Sequence, residues 1–196
     1  MNICKFFISL FFVIELIVFC MAEDWPRFRG VNGQGISSQA VPTQWSEDKN
    51  IKWRCKLPGP GSSSPVIYRN KIFITSFSGV TTGDQDPSKL VRHIVCVDKE
   101  KGTIIWKDTV KATQPEDPYS GFLVEHGYAS NTPLIDSGRL FVYLGKSGIH
   151  CYSLDGKKLW QKSLGTGSTR RKWGSAASPI IYKNTLIVSA AEESLT

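Results

Sequence analysis

The chain has 196 residues, 41% of them hydrophobic and 21% charged, a composition that excludes general disorder and favours one globular domain. Its formal net charge is +7, but the basic residues are scattered over predicted turns, and the tight cluster at residues 170–172 belongs to no nucleic-acid-binding motif. We therefore predict no nucleic-acid partner and expect the basic surface to face an acidic partner or an anionic envelope.

The first 22 residues differ from the rest of the chain. Lys5 gives a positive start, and residues 6–21 form an apolar run of 16, shorter than the roughly 20 residues that span a bilayer as a helix. Ala22 follows, a small residue of the kind that a signal peptidase reads. We predict a secretory signal peptide over residues 1–22 and an exported protein, periplasmic or extracellular. An uncleaved membrane anchor and a lipoprotein signal ending at Cys20 are the alternatives, and we expect membrane contact only through this segment.

Residues 23–50 contain many turn formers and little periodicity, which predicts an irregular lead-in crossing the domain surface. We expect three aromatic side chains to hold it in place: Trp25, Phe28 and Trp45. Residues 51–57 then alternate apolar and polar side chains, which predicts a half-buried strand.

The rest of the chain repeats with a period near 50. Trp53, Trp106 and Trp160 are 53 and 54 residues apart, and a proline-led apolar strand recurs at residues 64–68, 132–136 and 178–182. Repeats of turn-linked strands at this period are typical of a β-propeller. We predict an all-β fold of four-stranded antiparallel blades, in repeats at about 62–110, 129–165 and 176–196.

Each full repeat contains four predicted strands. In the first they cover residues 65–68, 71–77, 93–98 and 103–107, and in the second residues 132–135, 139–144, 148–152 and 158–161. The third repeat stops after its second strand, at residues 186–190. Because propellers close with about four to eight blades, we expect an incomplete N-terminal arc of about two full blades plus parts of two others.

Three cysteines remain outside the predicted signal, an odd number that excludes a complete disulfide framework. Cys96 and Cys151 occupy equivalent repeat positions, about ten residues before a tryptophan, and we expect both to be buried and unpaired. No cysteine pair has metal-ligand spacing, so we predict no metal site.

The end of each full repeat resembles the A-x-D-x-x-T-G-K-x-x-W signature of pyrrolo-quinoline-quinone-like (PQQ-like) propeller repeats. The first copy matches it at Asp98, Gly102 and Trp106, and a one-residue-shorter copy matches at Asp155, Gly156 and Trp160. The resemblance covers essentially residues 24–194. It implies that each tryptophan docks against the neighbouring blade, and we expect Trp106 and Trp160 each to lie near its own turn glycine, Gly102 and Gly156. These six positions are therefore expected to be structural.

The resemblance leaves activity open. Catalytic members of the family are exported alcohol or sugar dehydrogenases that hold PQQ against a disulfide of adjacent cysteines, with calcium and an aspartate base. The chain has no adjacent cysteines and no recognisable calcium cluster. It also resembles propeller lipoproteins that assist outer-membrane barrel assembly. Our first hypothesis is therefore a non-catalytic binding or assembly scaffold with a protein or envelope partner and no cofactor. The alternative is a PQQ-dependent dehydrogenase, and a hydrolase or polysaccharide-binding role stays open.

Candidate ligand-binding residues lie in the two connections that enter innermost strands, because such connections line the channel mouth of a propeller. They are His126, Tyr128, Arg170, Arg171 and Trp173. Histidine can exchange a proton near neutral pH and arginine can hold an anion. The structural alternative is that His126 and Tyr128 tie down a long connection while the arginines are solvated. His93 and His150 lie on predicted strands, where we expect packing roles.

Overall fold

The structure, a computed structural model, describes residues 23–112 and 115–194. The predicted signal peptide lies outside these residues, so its cleavage and the export of the chain stay predictions. None of the helices within residues 23–112 and 115–194 has the length and hydrophobicity of a transmembrane span.

The first blade is a four-stranded antiparallel sheet in chain order. Its strands are β1 (Val66–Tyr68), β2 (Lys71–Ser78), β3 (Val91–Asp98) and β4 (Ile104–Lys111). They fall where the repeat pattern predicts strands. A bulge between Cys96 and Val97 shifts the register of β4, so that Cys96 lies opposite Trp106 and Val97 opposite Ile104.

The second blade repeats this design. Its strands are β5 (Leu134–Asp136), β6 (Arg139–Tyr143), β7 (Ile149–Ser153) and β8 (Lys158–Lys162), again antiparallel and in chain order. A bulge between Cys151 and Tyr152 stands at the position equivalent to the bulge of the first blade. A third sheet pairs β9 (Ile180–Tyr182) with β10 (Thr185–Ile187). A single short α-helix, α1 (Leu123–His126), lies in the described part of the connection between the two full blades. The predicted all-β architecture of four-stranded antiparallel blades is confirmed.

The core consists of the faces at which neighbouring blades meet. Between the first and second blades, Phe73 and Ile94 pack with Leu140, Val142 and other buried side chains. Between the second blade and β9–β10, a second cluster joins Phe141 and Tyr143 to half-buried residues that include Leu186. This burial of apolar faces against neighbours is what makes adjacent repeats depend on each other.

Cys96 and Cys151 occupy equivalent places in these two clusters. Both are completely buried and unpaired, as predicted. Burial raises the pKa of the Cys96 thiol to about 11, so the thiol stays protonated at neutral pH. The two cysteines are therefore small packing residues of the blade faces.

The lead-in crosses the inner strands of both full blades. Trp25 exchanges two backbone hydrogen bonds with Ile67 of β1, at 2.8 and 2.9 Å, and the amide of Ile135 in β5 donates to the carbonyl of Pro26 at 2.7 Å. Trp25 is half-buried, but Phe28 and Trp45 are 52% and 63% exposed, so the prediction that these two hold the lead-in is wrong.

The predicted strand at residues 51–57 does not form. The alternation is present, since Trp53, Cys55 and Leu57 are half-buried and the residues between them exposed, but the segment has no ladder partner in the described chain. Alternating burial alone is thus no proof of a strand, because a strand also needs a neighbour that pairs with its backbone groups.

The repeat tryptophans contact the turn of the following repeat. The Trp53 ring lies against Gly102, and its Nε1 donates to the carbonyl of Lys99 at 2.8 Å. The Trp106 ring lies against Gly156, where an added Cβ would lie 2.8 Å from the ring, and its Nε1 donates to the carbonyl of Leu154 at 3.1 Å. The sequence pattern paired each tryptophan with the glycine of its own turn; the structure shifts the contact by one repeat.

Trp160 and the two turn aspartates complete these repeat positions. Trp160 packs on Phe141 with ring centroids 6.0 Å apart and is 39% exposed. Asp98 accepts from the amides of Glu100 and Lys101, both at 2.8 Å, and these bonds lower the pKa of its carboxyl. In the shorter second turn Asp155 instead forms an ion pair with Lys71 of the first blade. One aspartate thus caps its turn, and the other links two blades.

Candidate functional site

The connections that precede β5 and β9 meet on one rim, opposite the rim that carries the repeat turns. His126, at the end of α1, joins them: its Nε2 lies 2.7 Å from the carbonyl oxygen of Trp173, and its Nδ1 lies 2.9 Å from Oγ of Ser130. Because a carbonyl only accepts, Nε2 carries the proton and Nδ1 accepts from the serine hydroxyl. The structure therefore brings together the two clusters that the sequence singled out.

An exposed aromatic pair stands beside this histidine. The rings of Phe122 and Trp173 lie 5.0 Å apart between centroids, and the Arg171 guanidinium lies 4.7 Å from the centroid of the Trp173 ring. Phe122 is 60% exposed and Trp173 39%, and Arg170 is exposed next to them. We call Phe122, His126, Arg171 and Trp173 the rim patch. It combines apolar area with positive charge on a surface that is tied down from both connections.

Tyr128, the remaining ligand candidate, lies beneath the rim patch. Its ring is 7% exposed and packs edge-to-face on Phe77, and its hydroxyl donates to the carbonyl of Asp117. Burial raises the pKa of this phenol well above its usual value, and the nearby Glu116 adds to the shift. Tyr128 therefore has its hydrogen bond satisfied inside the protein and supports the connection from below.

A group of charged side chains lies under the same rim, and the sequence did not predict it. We call it the rim ion cluster, and its members are Arg92, Glu116, Asp117, Lys146 and Glu193. Arg92 and Glu116 form a two-bonded ion pair at 2.7 and 3.0 Å, with side chains only 3% and 4% exposed. Lys146 lies 3.3 Å from Asp117 and forms a second pair, with both side chains 9% exposed.

The rim ion cluster joins all three sheets. Arg92 of β3 also donates to the carbonyl of Tyr128 at 3.1 Å and to Oγ of Ser147 at 3.1 Å, which links the first blade to the connection and to the second blade. Glu193, after β10, accepts from the Tyr143 hydroxyl at 2.7 Å and from Ser175 at 2.6 Å. These partners lie 18 to 55 residues apart in sequence and show no periodic signal, so the sequence pattern did not predict them.

The cluster does not fit the cofactor of the dehydrogenase hypothesis. The cavity that it encloses has a volume of about 30 Å³, space for a few water molecules but not for a quinone. Glu116 and Asp117 are already neutralised by basic partners, and no three acidic, histidine or cysteine side chains of the described ranges are arranged to hold a metal ion. The rim ion cluster therefore does not fit PQQ with calcium.

The blades, their turn signature and the shared rim define a β-propeller of the PQQ-like repeat class. Residues 88–196 match the family model described as outer membrane protein assembly factor BamB. This match covers more than half of the chain, so the chain belongs to that family. A search of the curated proteins finds no match to the chain.

Proposed function

We propose that this protein is an exported, non-catalytic component of the cell envelope that binds another protein through the rim patch. The single observation that carries the proposal is the exposed Phe122–Trp173 pair with Arg171 stacked against it. Exposed aromatic clusters on folded proteins mark interaction sites, and tryptophan and arginine are enriched among the residues that dominate binding energies. The family, described as an outer membrane assembly factor, supports an envelope protein that binds proteins.

The rim patch is held in a fixed conformation before any partner binds. His126 ties the Trp173 backbone to α1, and beneath it the Arg92–Glu116 pair fixes the connection that carries Phe122. A surface fixed before binding loses little conformational entropy in the complex, which improves affinity. The positive charge of Arg170 and Arg171 favours a partner segment with acidic residues beside apolar ones.

Site-specific photo-crosslinking tests the binding site. A photoreactive residue in place of Phe122 should give a discrete crosslinked protein in intact cells, and Arg171→Ala in the same chain should weaken that product. The matched control replaces Trp45, an equally exposed aromatic residue on the lead-in. Identical products from both positions, or none from position 122, would refute the rim patch as the binding site.

Two further measurements address export and catalysis. Cell fractionation with mass spectrometry of the N-terminus should find the chain outside the cytoplasm and starting after residue 22, and a purely cytoplasmic chain would refute export. Purified protein supplied with PQQ, calcium and an alcohol or sugar should not reduce an electron-accepting dye. Turnover in that assay would establish the dehydrogenase alternative instead.

A further inference from the structure

Five turns lie along the rim opposite the rim patch, and we call that edge of the molecule the repeated rim. They cover residues 69–70, 99–103, 137–138, 154–157 and 183–184. Both acidic residues of these turns are ion-paired, Glu100 with Lys52 and Asp155 with Lys71. Among the described residues no carboxylate lies within 4.0 Å of the basic groups of the turns, so their positive charge is not compensated nearby. These basic residues are Arg69, Lys99, Lys101, Lys157 and Lys183.

The rim that carries the rim patch has no such excess of positive charge. The basic cluster at residues 170–172 lies there, but the connection over residues 112–130 contains three acidic residues and no lysine or arginine. Arg92 and Lys146 are paired with two of those carboxylates. Much of the net charge of +7 therefore lies at the repeated rim.

Two tips of the repeated rim pair a tyrosine with a basic residue. The Arg69 guanidinium lies 5.2 Å from the centroid of the Tyr68 ring, and the Lys183 ammonium lies 5.3 Å from that of Tyr182. Arg69 and Lys183 have φ of 55° and 52°, in the left-handed region where Gly or Asn is the usual residue. An unfavourable backbone at two equivalent tips indicates a role for these basic side chains beyond turn formation. Tyrosine is enriched where proteins meet the membrane–water interface.

The described chain enters the fold at the repeated rim. The Asp24 carboxylate accepts a hydrogen bond from the amide of Arg69 at 2.6 Å, and Trp25 pairs with Ile67 just before the same turn. Residues 1–22, with their apolar run, are therefore joined directly to this rim. Any membrane attachment through that segment, by the segment itself or by a lipid on Cys20, brings the repeated rim to the bilayer surface.

We propose that the repeated rim docks on the surface of an anionic lipid bilayer. Its uncompensated charges match the negative potential of such a surface, where each lysine or arginine adds to the attraction. A single lipid chain gives only weak attachment, and a basic surface beside it supplies the second contact that stable binding needs. The sequence-based expectation limited membrane contact to residues 1–22, whereas this proposal extends the contact to the folded domain. Docking in this way turns the rim patch away from the bilayer and does not depend on what the rim patch binds.

Sedimentation with lipid vesicles tests the role of the charges. The full chain should bind vesicles of phosphatidylglycerol in phosphatidylcholine, and should bind phosphatidylcholine alone much more weakly. Arg69→Gln/Lys101→Gln/Lys183→Gln should weaken binding to the anionic vesicles about a hundredfold, because each basic residue at such a surface contributes about fivefold. The control Lys89→Gln/Lys111→Gln/Lys172→Gln removes the same charge from exposed positions on the opposite rim and should change binding little. Residues 1–22 are the same in both variants, so their own membrane affinity cancels.

Photo-crosslinking identifies the surface that touches lipid. A photoreactive residue in place of Asn184, in the β9–β10 turn, should form lipid adducts in intact cells, whereas one in place of Glu125, on the opposite rim, should not. Equal loss of vesicle binding in the two triple variants, or equal affinity for neutral and anionic vesicles, would overturn the proposal. A crosslinked protein without lipid adducts at position 184 would also overturn it, and would assign an acidic protein to this rim.

Discussion

The two rims of the molecule are built by different means. On one, each turn between the last two strands of a blade holds a glycine against the tryptophan of the preceding repeat, Gly102 with Trp53 and Gly156 with Trp106. On the other, two connections of unlike length and sequence meet over charges that pair across blades. The repeated rim is a scaffold that sequence periodicity specifies, whereas the other rim owes its features to residues that occur once.

The largest effect is expected at the repeated rim. Trp106→Ala removes a ring that packs on Gly156, Phe73 and Tyr152 and loses the bond to Leu154. The ring is half-buried, so the free energy of unfolding should fall by about 3–4 kcal/mol, in the lower part of the range for aromatic truncation in a core. Urea denaturation of this variant beside Trp45→Ala, whose ring is exposed, gives the comparison. Equal stability of the two variants would show that the tryptophan does not join the blades.

A slightly smaller effect should follow from the buried charges of the other rim. Glu116→Gln leaves the guanidinium of Arg92 buried without its carboxylate, which should cost about 3 kcal/mol. Glu125→Gln, an exposed change on the same connection, is the matched control and should cost little. Thermal unfolding of both variants measures the difference. If Glu116→Gln matched its control, the rim ion cluster would not be holding the blades together.

The pH dependence of stability reports on two buried histidines on the blade strands. Burial lowers the pKa of both His93 and His150, helped by Lys107 and Lys158 respectively. Since both rings are neutral in the folded chain but protonate in the unfolded one, stability is fully present above the ordinary histidine pKa of about 6.5 and falls as the pH drops through the lowered values. Urea unfolding between pH 8 and about pH 5 measures the fall. His150→Gln should flatten this dependence, and a slope unchanged by the substitution would contradict the assignment.

The smallest effect on stability is expected at the rim patch. Phe122→Ala removes a ring that is 60% exposed, so the free energy of unfolding should change by no more than about 0.5 kcal/mol. The same substitution should abolish most binding of the proposed partner, as measured by crosslinking from position 125, the exposed position next to His126. A stable variant that still binds normally would move the binding site away from this patch.

Periodicity predicted the fold well. The strand positions of both full blades and the burial of Cys96 and Cys151 follow from alternation and repeat equivalence, which depend on neighbours in sequence. Residues 51–57 show the limit, since alternation cannot tell whether a backbone partner exists. The sequence also could not predict that Trp106 contacts Gly156 of the following repeat, because the repeat pattern is the same whichever glycine the ring contacts.

The candidate site was predicted only in part. The meeting of residues 125–128 with residues 170–174 followed from the rule that connections before inner strands share a face, and Arg171 with Trp173 lies in the patch that resulted. Phe122 and the rim ion cluster were missed. Arg92 lies within β3, and Glu193 follows β10. Their association depends on how the sheets pack, so no local sequence pattern indicates it.

The contact of each tryptophan with the following repeat affects how the protein folds during synthesis. Trp53 meets Gly102 and Trp106 meets Gly156, 49 and 50 residues further along the chain. While the chain is being synthesised, a repeat can form its hairpins at once, but its tryptophan finds no binding surface until the next repeat has emerged. Each blade is therefore stabilised only after the next repeat has been synthesised. A ribosome that pauses between repeats would hold an unprotected indole ring and an uncovered apolar face, which is the state most exposed to aggregation and to proteases.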